Sequence, residues 1–341
     1  MQKSQVTSLF KGDSISVRRL IAIGALATMT ASLAGVTSVS ASPGAGRLPI
    51  RVAKDAVPLG EGKYAIELKA PKPTWYTNEL HRRVVAAAKR GQTVVLPDGA
   101  HVETSLLFTG IRPGSWMISP AGCTMNYVFG RASGNVPLKM SRPAGKRGKG
   151  AKRRARVRTG SGAYIGTAGH CTEVGDEVTL IAAPGVLMNI GRTVKSIDRG
   201  IGNDFALVEV HPQMVQYVNP SMAHVGGPTG AGDPVFGDPV VHTGHGAVIG
   251  TGGTPRPGLV TWEGAERGRE VDGYGWDGAA IFGDSGSPVR HANGVAVGNL
   301  THLVIAPNIL PAFIAGTNIS RIKEIAAVPL ATASLIPDPL P

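Results

Sequence analysis

From Ile111 onward the chain presents its apolar residues in short runs cut by Gly, Pro and Asp. These are "CTMNYVF", "GAYIGTAG", "EVTLIA", "DFALVEV", "GDPVVHTG", "GLVTWEG" and "GVAVGNLTHLVI". Runs of this length, bounded by turn residues, read as strands, and a long series of them reads as a barrel or sandwich. The supply of 47 Gly and 25 Pro fits many turns, and only 5% of residues are aromatic. A chain of 341 residues has room for one large domain or two small ones with a real core.

The N-terminal third reads differently. Lys11, Arg18 and Arg19 precede the apolar, small-residue run "LIAIGALATMTASLAGV", and "VSA" follows at 39–41. A positive flank, a short apolar run and small residues at a cleavage point make residues 1–41 an export signal, cut most simply after Ala41. The alternative is a single membrane anchor. No later stretch is long and apolar enough to span a bilayer. Residues 42–110 form a small leader segment, either a pro-region or an N-terminal extension. Within it, "TNELHRRVVAAAKRG" predicts a helix capped by Thr77 or Asn78 and ended at Gly91, with Leu80, Val84, Val85 and Ala88 on one face. Residues 111–325 are the main domain. "NISRIKEIAA" is its one late helix, and 326–341 is a Pro-rich, loose tail.

The formal charge of +12 is local. Lys139–Arg158 carries ten Lys/Arg and no acid, and residues 1–41 carry four Lys/Arg against one Asp. The rest of the chain is close to neutral, which excludes a general polyanion-binding body. The Lys139–Arg158 stretch reads as a solvated loop, as a tether for an anionic polymer, or as a site of proteolytic nicking. Its lack of aromatics argues against base stacking.

Three segments carry chemistry. "TAGHC" holds His170, "NDFALVEV" holds Asp204, and "GDSGSP" holds Ser285. A serine hydroxyl needs a base, a neutral imidazole can be that base, and a carboxylate can fix its tautomer and its charged form. Acyl transfer also builds negative charge on an oxygen. The backbone N–H groups of Gly283 and Ser285 can meet it if Gly283 and Gly286 allow a tight turn. Cys171, beside His170, is one of two cysteines. Taken alone it is a metal ligand, a nucleophile or a staple.

The order His, Asp, Ser, with these motifs spaced 34 and 81 residues apart, resembles the chymotrypsin-like (trypsin-fold) serine peptidases. It is most similar in style to the secreted bacterial enzymes of the streptogrisin and α-lytic type. The resemblance covers residues 111–325. It implies an all-β fold of two antiparallel six-stranded β-barrels with the active site between them, His170 and Asp204 coming from the first and Ser285 from the second. It also implies that Cys123 pairs with Cys171, stapling the loop that holds His170. With two cysteines and no Cys-x-x-Cys, a metal site has no ligand set, and none is expected at His242 and His245 in "HTGHG". No cofactor is implied.

The sequence departs from the family at several points. A trypsin-type activation end is absent, so the partner of Asp284 is open. Ala279 stands where trypsin has the aspartate that holds Lys or Arg. In "GNLTHL", the expected substrate-binding strand edge, His302 and Leu303 replace a common Trp and Gly. Thr301 is expected to bond Asp204. Ala279, Thr301, His302 and Leu303 are the candidate substrate contacts, with a preference for small or medium apolar side chains. The resulting expectation is a secreted or cell-surface, monomeric serine endopeptidase acting on polypeptides. Two alternatives stand beside it: a binding protein of the same fold with little activity, and an esterase with the same nucleophile.

Overall fold

Strand-forming runs with bulky alternating residues fix the elements, and backbone pairing assembles them into two sheets. The computed structural model describes residues 56–60, 62–98, 100, 110–131, 162–183, 185–222, 224–246, 253–264, 272–306 and 309–335. The export-signal region 1–41 and the basic stretch Lys139–Arg158 lie outside the described residues. All elements below belong to the unit Pro49–Pro341.

The segment ahead of residue 100 contributes β1 (Val57–Gly60), β2 (Lys63–Glu67), β3 (Ala70–Pro71), helix α1 (Asn78–Ala88) and β4 (Val94–Val95). Next come β5 (Trp116–Ile118), β6 (Ala121–Thr124), β7 (Val128–Gly130), β8 (Ala163–Thr167), β9 (Glu177–Ala183), β10 (Val186–Asp198) and β11 (Asp204–Val210). The remainder gives β12 (Gly230–Ala231), β13 (Pro239–Thr243), β14 (Pro255–Glu263), β15 (Gly273–Asp277), β16 (Pro288–His291), β17 (Val295–Asn299), β18 (His302–Ala306), β19 (Ile309–Thr317) and helix α2 (Ile319–Ala326).

One sheet runs β3-β6-β5-β9-β10-β11-β8-β7, with β4 also on β10; the other runs β1-β2-β18-β19-β15-β14-β13-β16-β17-β12. Apart from the parallel β12–β17 pair, the ladders are antiparallel. The expected pair of six-stranded barrels is therefore corrected in strand number and closure. The sheets are open ladders of nine and ten strands among the described residues. Four of the added strands have a physical source: the segment before residue 100 places β3 and β4 on the first sheet and β1 and β2 on the second. Unpaired strand edges are templates for such additions of backbone hydrogen bonds.

Each sheet wraps its own apolar cluster. The first buries Met117, Cys123, Ile165, Leu180, Met188 and Val208; the second buries Val240, Val260, Trp276, Val289, Leu300 and Ile314. A third cluster joins them through Tyr127, Phe129, Phe205, Ala296 and the buried face of α2, Ile319, Ile322 and Ile325. In α2, Asn318 caps the first turn by accepting from Arg321 N at 3.1 Å. In α1, Thr77 Oγ1 accepts from Leu80 N at 3.2 Å. Leu80, Val84, Ala87 and Ala88 are buried, and Gly91 takes φ +69° just beyond the helix. The apolar face of α1 belongs to a cluster with Trp116, Ile181 and Leu187 of the first sheet.

The described part of the expected loose tail is held in place. Gly130 N donates to Pro329 O at 2.7 Å, Ala331 N to Val128 O at 2.9 Å and Gly227 N to Ser334 O at 2.6 Å. The tail pairs with β7, the last strand of its sheet, which otherwise presents unpaired backbone groups.

A disulfide joins Cys123 on β6 to Cys171 in the short 3₁₀ turn Gly169–Cys171 that carries His170. It closes a loop with a sequence separation of 48. The double substitution Cys123→Ser/Cys171→Ser is expected to lower the free energy of unfolding by about 4 kcal/mol through regained loop entropy. Urea denaturation of the two proteins measures the difference.

Candidate active site

His170 sits in the 3₁₀ turn after β8, Asp204 opens β11, and Ser285 lies in the turn between β15 and β16. The structure brings all three together. His170 Nδ1 lies 2.6 Å from Asp204 Oδ2, and His170 Nε2 lies 2.7 Å from Ser285 Oγ. The His170 and Asp204 side chains are fully buried.

A buried carboxylate needs donors, and the turn supplies them. Gly169 N donates to Asp204 Oδ1 at 2.5 Å and His170 N to the same atom at 3.2 Å. Residue 169 must be glycine: a Cβ there would stand 1.9 Å from the Ile197 carbonyl oxygen. The second sheet holds the Asp204 backbone. Asn299 Nδ2 donates to Asp204 O at 2.9 Å, Thr317 Oγ1 donates to it at 3.2 Å, and Asp204 N donates to Thr317 Oγ1 at 3.1 Å.

Burial alone would neutralise both partners, but they charge each other. Burial opposes the Asp204 carboxylate, yet the His170 charge and hydrogen bond, aided by His302, hold it below the ordinary range. Burial likewise opposes protonated His170. Asp204, with Glu67 and Asp198 further off, outweighs that and holds its pKa above the ordinary value. His302 packs edge-on against His170, with ring centroids 5.8 Å apart, and burial pushes its own pKa down to about 4. It is therefore a neutral neighbour at neutral pH.

The Ser285 turn is held by Thr124 of β6 and by Asn126, between β6 and β7. Thr124 N donates to Ser285 O at 2.8 Å, Thr124 Oγ1 to Gly283 O at 2.8 Å, and Asn126 Nδ2 to Gly286 O at 3.0 Å. Gly283 adopts φ +105°, a conformation that L side chains strain to reach. In it, Gly283 N and Ser285 N converge on one carbonyl oxygen, that of Leu68, at 2.5 and 3.3 Å. The two expected oxyanion donors thus point at one and the same oxygen.

Asp284, whose partner the sequence leaves open, pairs with Arg256 of β14. Arg256 Nη1 and Nη2 donate to Asp284 Oδ2 and Oδ1 at 2.6 and 2.7 Å, and Ile281 N donates to Oδ2 at 2.8 Å. Burial works against the Asp284 charge, and Arg256 reverses that and holds its pKa low. No local sequence signal marks Arg256, because its partner is 28 residues away on another element.

The other expectations fare unevenly. Thr301 does not bond the Asp204 side chain. Its hydroxyl donates to Ala315 O at 3.3 Å and lies 2.8 Å from His302 Nδ1, while the Asp204 oxygens face the 169–170 amides and the imidazole. Ala279 is exposed, whereas Ala280 and Leu303 pack against the apolar cluster that contains Trp276 and Val297. Asp277 Oδ1 accepts from Leu259 N at 2.6 Å on the exposed face of the β14–β15 pair. The Thr301 carbonyl, rather than its hydroxyl, faces Ser285, 2.9 Å from its Oγ.

Neither a protein-family model nor a curated protein matches the sequence. Solved structures do resemble it. Thermobifida fusca protease A shares 17% identity over 65% of this chain and 98% of its own, with a TM-score of 0.43. Cellulomonas bogoriensis chymotrypsin shares 16% over 66% and 99%, with a TM-score of 0.41. The α-lytic protease homologue N4 shares 16% over 65% and 100%, with a TM-score of 0.38. Its structural neighbours are chymotrypsin-like serine proteases.

Removing the cation from a buried ion pair leaves an uncompensated charge. Arg256→Met is expected to cost about 3–5 kcal/mol of stability, measured by urea unfolding. Adding Asp284→Asn to the same protein is expected to recover part of that loss, since the stranded charge is then gone.

Proposed function

We propose that this chain is a serine endopeptidase that hydrolyses peptide bonds through an acyl-enzyme. The carrying observation is the convergence at one point of the Asp204–His170–Ser285 hydrogen-bond chain and two amide donors that already hold a peptide carbonyl.

In this reading the one proton of Ser285 Oγ has two acceptors in reach, His170 Nε2 and Thr301 O. When it passes to His170, Oγ attacks the carbonyl carbon of the substrate. The oxygen becomes negative between Gly283 N and Ser285 N, where preorganised donors are worth roughly 3–4 kcal/mol of barrier each. Asp204 holds the Nδ1 proton and stabilises the imidazolium, which returns its proton to the leaving amine. Water then repeats the sequence and frees the acid. The apolar wall of Ala280 and Leu303 supports a preference for apolar side chains at the cleaved position, since a buried cation would lack a partner there.

The Cys123–Cys171 bridge supports an oxidising compartment, and so an exported protein. Among the described residues, no helix is long and apolar enough to cross a membrane.

Ser285→Ala is expected to lower turnover by at least about 10⁴-fold with the fold intact. Fluorophosphonate labelling and peptide-library cleavage of both proteins test this. Labelling of the wild type without any peptide cleavage would move the reading to an esterase, and no labelling at all would move it to a binding protein.

The base must be neutral to work, and His170 has a raised pKa. Activity is therefore expected to rise with pH through an apparent midpoint above the ordinary histidine value of about 6.5. A kcat/KM profile from pH 5 to 9 measures it, and a flat profile would exclude His170 as the base.

A further inference from the structure

A single extended stretch, Lys63–Pro71, crosses the site from one sheet to the other. On one side β2 pairs antiparallel with β18: Tyr64 opposite Ile305, Ala65 opposite Val304, Ile66 opposite Leu303 and Glu67 opposite His302. On the other side β3 pairs with β6, Ala70 opposite Gly122 and Pro71 opposite Ala121. Between them the chain passes Ser285 at Leu68.

Every polar group of Leu68 is engaged by the site. Its N–H donates to Thr301 O at 3.1 Å, and its carbonyl oxygen accepts from Gly283 N at 2.5 Å and Ser285 N at 3.3 Å. Its side chain is 1% exposed and belongs to the apolar cluster that includes Ala280, Leu300 and Leu303. The backbone pairing fixes direction as well as place. Residues before Leu68 lie along β18, residues after it lie along β6, and the Leu68–Lys69 bond follows directly on the carbonyl that Gly283 N and Ser285 N hold.

We propose that the Leu68–Lys69 bond is an intramolecular substrate of Ser285, so that the chain cuts itself there and the β18 edge is then freed for other polypeptides. The proposal rests on the peptidase reading above and adds to it a self-processing site and leucine as the side chain accepted at the cleaved position.

The chemistry balances with water as the only co-reactant. Ser285 Oγ bonds to the Leu68 carbonyl carbon as its proton moves to His170 Nε2. The C–N bond to Lys69 breaks, and His170 gives that proton to the new amine. Water then attacks the Leu68 ester, His170 takes a proton from it and returns one to Ser285 Oγ, and Leu68 leaves as a carboxylic acid that gives its remaining proton to solvent. Before the cut, the β2 strand fills the β18 edge and the Leu68 carbonyl fills both amide donors. After it, the strands ahead of Lys69 are held by no peptide bond, while β3, α1 and β4 stay joined to the main body.

The test uses the full chain, followed by intact mass and N-terminal sequencing over time. The wild type is expected to yield a new N-terminus at Lys69, with a first-order rate unchanged over about a hundredfold dilution, as an intramolecular step requires. Ser285→Ala is expected to stay joined. Leu68→Asp, which puts a carboxylate in the apolar wall, is expected to slow the cut by roughly a hundredfold or more. Lys69→Pro keeps Leu68 and blocks the bond, and it is expected to label with a fluorophosphonate at least about tenfold more slowly than the cut wild type. A wild type that labels and cleaves peptides with the 68–69 bond intact would overturn the proposal and leave the peptidase reading standing. A rate that rises with protein concentration, or a Lys69 end in Ser285→Ala, would overturn the intramolecular step. A wild type that neither labels nor cleaves peptides, even after an added protease has removed the residues before Lys69, would overturn both.

Discussion

The buried carboxylate of Asp204 is the constraint around which the two sheets are arranged. A charge in a protein interior survives only if it is paired and hydrogen-bonded. Its oxygens take two backbone amides and an imidazole from the 169–170 turn. Its own backbone is gripped by Asn299 and Thr317 of the other sheet. Satisfying this one group therefore fixes the His170 ring and also docks β11 on β17 and β19. The disulfide adds a covalent tie between that turn and β6.

Asp284, next to Ser285, poses the same problem and is solved differently. A planar guanidinium from β14 meets both its oxygens, as suits a carboxylate pair that must be held in one orientation. Since Asp284 lies between Gly283 and Ser285, fixing it fixes the two amides that flank it. Thr124 and Asn126 of the first sheet secure the same turn from across the interface. Each sheet thus completes the half of the site that the other carries.

Leu68 connects the site to the fold of the N-terminal segment. Its carbonyl lies between the amides that the proposed reaction uses, and the strands on either side of it extend both sheets. In the proposed reading, structural pairing and substrate recognition rely on the same backbone hydrogen bonds. A segment that reads as a leader is for that reason indistinguishable, by its pairing, from a bound polypeptide.

The residues with demanding chemistry were legible in the linear sequence. His170, Asp204 and Ser285 stand in motifs whose small residues have local duties, such as Gly169 against Ile197 and Gly283 at positive φ. The cap of α1 and the strand character of each run were likewise local properties of a few neighbouring side chains. What the sequence left open was contact between distant segments. Arg256 finds Asp284, the Thr301 hydroxyl turns to His302 instead of Asp204, the tail zips onto β7, and residues 63–71 span the site. Strand addition at a sheet edge is made by backbone N–H and C=O groups that nearly every residue possesses, so it leaves no signature in side-chain order. A long-range ion pair is chosen by which surfaces the two sheets bring together, and only the tertiary structure decides that.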